Sequence, residues 1–142
     1  MSFAMSRFSE LISGTDKKKA HLAMVMYVGL ADGILDPRES HWAMLVCTRL
    51  GLTAGDWDDV RQNLDAPHEV CQGLYDLSKS ERAVVLADCI HMGQVDGHLD
   101  ESELEMLNRW AAALELRPEE GNAIYSMMQA GLSPDSISSA FS

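Results

Sequence analysis

Apolar residues gather along this chain in two dense blocks. Ala20 to Ala31 is apolar at nearly every position, and Ala83 to Val95 is apolar apart from Asp88, His91 and Gln94. A helix that is apolar almost all round has no solvent face and belongs at the middle of a fold. Each block leads into a short acidic stretch and then into a segment with helical spacing. Trp42, Leu45, Val46, Arg49 and Leu50 mark the first segment, and Leu104, Leu107, Trp110, Ala111 and Leu114 mark the second. Recurrence at three and four residues predicts amphipathic helices lying on the core.

The remaining segments also carry helical punctuation. Phe3, Phe8, Leu11 and Ile12 predict a leading helix that stops at Gly14, after which Asp16 caps the first central helix. Two shorter helices are expected over 56–64 and 67–77. Ser78 and Glu81 have the spacing of a capping box for the second central helix. Pro118 and Pro134 suit the first turns of two later helices. No alternating strand pattern and no linker is visible, so residues 1–142 are expected to form a single all-α, multihelical domain.

The two halves repeat. Aligning Gly29–Glu39 with Gly93–Glu103 at a constant offset of 64 matches Gly29, Asp32, Gly33, Leu35, Asp36 and Glu39 to their counterparts. The same offset matches Leu50 and Leu52 to Leu114 and Leu116. A shared spacing on both sides of the loop predicts a duplicated helix–loop–helix unit, with repeat one over about 17–64 and repeat two over about 79–132.

The repeated loop reads D-G-x-L-D-x-x-E. It has the spacing of the second half of an EF-hand calcium loop, but Val28, Leu30, Met92 and Gln94 occupy the earlier ligand positions, so neither loop is an EF-hand. Helix punctuation accounts for much of the pattern. Gly33 and Gly97 would end the preceding helices, and Gly29 would allow close helix packing. Asp36 would be an N-cap with Pro37 at N1 and Glu39 closing a capping box, with Asp100 and Glu103 repeating the arrangement. Leu35 and Leu99 would anchor into the core. Asp32 and Asp96 are not explained this way. They follow helix C-termini, where exposed carbonyls disfavour negative charge by ~0.3–1 kcal/mol. Two acids set against that field imply a compensating cation, either a basic side chain or a bound metal.

The duplicated loop after an apolar helix resembles the TerB-like family, named for a bacterial tellurite-resistance protein. The resemblance covers roughly residues 17–132. It implies two central antiparallel helices and divalent-metal binding by the acidic loops, with Asp32, Asp36, Glu39, Asp96, Asp100 and Glu103 as ligands. Oxygen-only ligands favour Ca²⁺ or Mg²⁺ over Zn²⁺. His98 in the second loop is the one soft donor there, and the loops also differ at Pro37 against Glu101. A stress or tellurite-resistance-related role would follow from the resemblance. The competing reading is a metal-free helical adaptor for a protein partner, with the loops serving only as caps.

Charge and cysteines narrow the field. Eleven basic against 22 acidic residues give a net charge of −11, which disfavours nucleic acid and anionic membranes and favours cations or basic partners. The uncharged run Leu22–Ala31 is too short to span a bilayer, and no signal peptide pattern opens the chain. Cys47, Cys71 and Cys89 lie far apart, as reduced core thiols of a cytoplasmic protein would. Asp88 and His91, three apart on a buried helix, are expected to satisfy each other. No set of side chains reads as catalytic, so the chain is expected not to be an enzyme.

Overall fold

The computed structural model describes residues 15–30, 35–62, 64, 74, 77–95 and 101–142, the side chains of residues 15, 16, 102–104 and 106 excepted. Within them the chain is all-helical: α1 Thr15–Gly29, α2 Pro37–Arg49, α3 Ala54–Gln62, α4 Lys79–Gln94, α5 Glu101–Ala113, α6 Pro118–Gln129 and α7 Pro134–Ala140. The expected leading helix, the segment at 67–77 and Cys71 lie outside the described residues. Asp16 is already helical within α1 and is not its cap. None of the described helices is long and apolar enough to cross a membrane.

The apolar blocks are the central helices. From Ala83 to Ile90 every residue of α4 is at most 2% exposed, because α1, α2, α5, α6 and α7 all pack on it. Side chains from all seven helices join one hydrophobic cluster that includes Met24, Met26 and Met92. A buried Val, Leu, Ile or Met side chain contributes ~1.5–3 kcal/mol through loss of water contact, so these two helices carry most of the core's driving force.

Helices α1 and α4 pack directly on each other. Gly29 ends α1 against α4; a Cβ built there would stand 3.0 Å from Met92 Sδ and 2.5 Å from Leu35 Cδ1. The contacts climb together along the pair, from His21 with Asp88 to Gly29 with Met92. They do not carry the antiparallel sense expected from the resemblance. The missing Cβ at Gly29 lets the C-terminal ends close on each other.

Helices α3 and α6 begin at 54 and 118, 64 residues apart, the offset of the sequence repeat. The exits of α2 and α5 also share one turn. Gly51 and Glu115, with φ of 76° and 58°, take the left-handed position. Their N–H groups reach Thr48 and Ala112, while those of Leu52 and Leu116 reach back to Cys47 and Ala111. This is the Schellman pattern, which satisfies carbonyls the helix leaves open.

Candidate functional site

The first acidic loop runs from the end of α1 to the start of α2, and its second half is built as a helix cap. Asp36 has extended backbone and its Oδ1 accepts from the Glu39 N–H at 2.9 Å; Glu39 Oε1 accepts from the Asp36 N–H at 3.1 Å. Pro37 takes N1, where its missing N–H costs nothing. Leu35 packs against the core over Gly29. The cap reading of Asp36, Pro37, Glu39 and Gly29 is therefore realised. Glu39 is only 2% exposed.

Asp32, Asp96 and Asp100, with Gly33, Gly97, His98 and Leu99, lie outside the described residues, as does the side chain of Glu103. Of the six predicted ligands the structure thus gives the geometry of Asp36 and Glu39. Among the described residues no group of three or more His, Cys, Asp or Glu side chains is placed to hold a metal ion. Asp36 and Glu39 supply hard oxygen donors of the right kind, but a Ca²⁺ shell takes about six to eight oxygens. The rest would have to come from carbonyls and from Asp32, Asp96, Asp100 and Glu103.

The start of α2 and the residue after α4 meet at one cleft. Pro37, which follows Asp36, and Val95, which precedes Asp96, line one cleft of about 470 Å³ together with His41, Trp42 and His91. The cleft floor is aromatic: the Trp42 and His91 rings lie 4.0 Å apart between centroids. Burial holds the His91 imidazole below its ordinary pKa; Arg49 pushes the same way and Asp88 opposes them.

Beneath this cleft lies a polar cluster inside the core. Asp88, 1% exposed, is centred between His21 on α1 and Arg49 on α2. Its Oδ2 accepts from His21 Nε2 at 2.6 Å and from the Arg49 guanidinium, and its backbone carbonyl accepts from Trp42 Nε1 at 3.2 Å. A carboxylate paired with a guanidinium only accepts, so His21 presents the tautomer with hydrogen on Nε2. Burial pushes the His21 pKa down; the Asp88 hydrogen bond and charge oppose this, and Arg49 adds to it. Arg49 also lies 5.8 Å from the centre of the Trp42 ring.

Asp88 and His91 were expected to satisfy each other. The structure instead gives Asp88 to His21 and Arg49, while His91 stacks on Trp42. The pairing of His21 with Asp88 was legible in principle: each is a polar side chain in an almost wholly apolar helix, and buried polar groups must meet a partner. Sequence spacing favoured the neighbour on the same helix. His21 and Asp88 have the chemistry of a base and its orienting acid, and His21 is 0% exposed. The cluster fastens α1, α2 and α4 together. No family model, curated protein or solved structure matches the chain.

Proposed function

We propose that this chain is a TerB-like cytoplasmic module that binds a divalent cation, Ca²⁺ or Mg²⁺ ahead of Zn²⁺, through its two acidic loops. The ligands would be Asp32, Asp36, Glu39, Asp96, Asp100 and Glu103. The module acts by coordination and not as an enzyme, in a stress or tellurite-resistance-related role. The supporting observation is convergence: the residue after Asp36 and the residue before Asp96 line one cleft. Asp36 uses Oδ1 for its cap, and the same carboxylate carries a second oxygen for a cation. A bound cation would neutralise Asp32 and Asp96, which follow α1 and α4 in the sequence.

The test is thermal unfolding of chelated protein with Ca²⁺, Mg²⁺, Mn²⁺ or Zn²⁺ added separately, on wild type and on the Asp32→Asn/Asp96→Asn double variant. An ion at 100-fold excess over its dissociation constant should stabilise the native state by ~2.7 kcal/mol. That shift should disappear in the double variant. The completed Asp36–Glu39 capping box favours the second reading, a metal-free adaptor with loops that only cap helices. Under it no ion moves the melting curve, and the cation proposal fails.

A further inference from the structure

The starts of α3 and α6 share their backbone pattern, although Thr53 Oγ1 also accepts from the Asp56 N–H at 3.1 Å and Arg117 offers no such side-chain cap. At α3 the N–H of Thr53 is accepted by Asp56 at 2.9 Å, and at α6 the N–H of Arg117 is accepted by Glu120 at 2.9 Å. The next residues, Trp57 and Gly121, both return their N–H to the first carbonyl, of Thr53 and Arg117, at 3.0 Å. Both helices follow the same Schellman turn, so Trp57 and Gly121 hold one position, the fourth of the helix. The residues just before the caps, Leu52 and Leu116, also correspond.

Those two positions form a hydrophobic staple, in which an apolar side chain before the cap packs on one at the fourth helical residue. The first half fills both: Leu52 and Trp57 pack against the core. The second half has Leu116 and, opposite it, no side chain at all. A Cβ added at Gly121 would meet only the Ala111 Cβ, at 3.6 Å. What remains is a groove of about 530 Å³ floored by Leu86 and Ile90 and walled by Ala111, Leu116 and Gly121. Asn108, Asn122 and Tyr125 line it as well and bring polar groups able to hydrogen-bond an indole N–H or a peptide backbone.

The surroundings are acidic. Residues 101–129 hold six glutamates (101, 103, 105, 115, 119 and 120) and two arginines (109 and 117), and Lys79 and Arg82 reach Glu120 and the Leu114 carbonyl, so the net charge there is 4 − 6 = −2, on a chain of −11. Such a field attracts a cationic partner and repels an acidic one. An apolar slot of staple geometry inside that field selects for an aromatic anchor on a basic segment.

We propose that the groove beside Gly121 is a docking site for a tryptophan carried on a basic amphipathic peptide segment of another protein, seated where Trp57 sits in the first half. This site is separate from the acidic loops and does not rest on cation binding. The test uses the full chain and a fluorescein-labelled, lysine-rich helical peptide with one tryptophan on its apolar face, read by fluorescence anisotropy. The tryptophan peptide should bind at least about tenfold more tightly than its Trp→Ala counterpart, and added salt should weaken it.

Gly121→Trp supplies the indole in cis and should abolish that advantage while the helical circular dichroism is kept. Ala112→Trp, at an exposed position lining the same groove, blocks it without touching α6 and should do the same. Equal binding of the two peptides would overturn the proposal, as would full tryptophan-dependent binding by either filled variant. Self-association of the wild type that Gly121→Trp removes would also overturn it, naming a second copy as the occupant.

Discussion

Asp88→Ala is the substitution that tests the buried cluster most directly. It removes the acceptor of His21 Nε2, which lies where water does not reach, and leaving that donor unmet costs ~1–3 kcal/mol. It also removes the anion facing Arg49. That side chain is 19% exposed and can turn partly to water, so its share is reduced to roughly 1 kcal/mol. A small void adds a further cost of up to about 1 kcal/mol. The total is about 2–5 kcal/mol, a large part of the ~5–15 kcal/mol that holds a domain folded.

Asp88→Asn keeps the volume and one acceptor oxygen, loses the charge and turns the other oxygen into an NH₂ donor, so it should cost less than removing the whole group, about 1–2 kcal/mol. Urea unfolding followed by circular dichroism at neutral pH reads both, and an unchanged m-value would show that the native state is what changed. The order expected is wild type, then Asp88→Asn, then Asp88→Ala. If Asp88→Ala lies within about 1 kcal/mol of wild type, the cluster does not fasten the three helices and the reasoning from burial fails.

Local devices give the other predictions. Asp36→Ala and Ser78→Ala each remove the acceptor of a completed capping box and should cost about 0.5–2 kcal/mol in urea unfolding of chelated protein. Glu115 holds a left-handed turn at φ 58°, the place that Gly51 fills in the equivalent turn, so Glu115→Gly should raise stability by about 0.5–1 kcal/mol in thermal unfolding. Acid should act in two windows. The His21 pKa is lowered in the folded state, so the unfolded chain takes up its proton first; stability is full above about pH 6.5 and falls below it, by at most ~1.4 kcal/mol per pH unit for this group. Lys79, 2.8 Å away, and the Arg117 N–H hold the Glu120 carboxyl down at about 2, so its contribution is present above about pH 4.5 and is lost between there and pH 2. Glu120→Gln should flatten that lower limb alone, measured as urea midpoint against pH.

The features that were readable in the sequence share one property: their physics closes within a few residues. The capping boxes at Asp36–Glu39 and Ser78–Glu81 and the first-turn prolines 37, 118 and 134 are bonds or constraints spanning one helical turn. The burial of α1 and α4 was equally readable, because a helix without a polar face has only the core to go to. Boundaries were softer: α1 already includes Asp16, which was expected to cap it, and the helix expected from 56 begins at Ala54. For the candidate ligands the loop spacing pointed to Asp36 and Glu39, and these two meet as the reciprocal partners of a cap.

Tertiary structure decided which distant groups meet. Asp88 reaches across 67 residues to His21 and across 39 to Arg49, and neither distance leaves a periodic trace in the sequence. On an isolated helix His91 is the natural partner of Asp88, three residues away. In the packed core the cost of burying a carboxylate selects the guanidinium and imidazole that α2 and α1 bring to it, and His91 is left to stack on Trp42. The groove beside Gly121 has the same origin. A glycine in a helix reads only as weakened propensity until the neighbouring helices close around it, and then the missing side chain becomes a space with a shape. Helix identity, capping and burial are settled by neighbours along the chain, so the sequence alone determined them. Partner choice and cavities are settled by neighbours in space, so they waited for the fold.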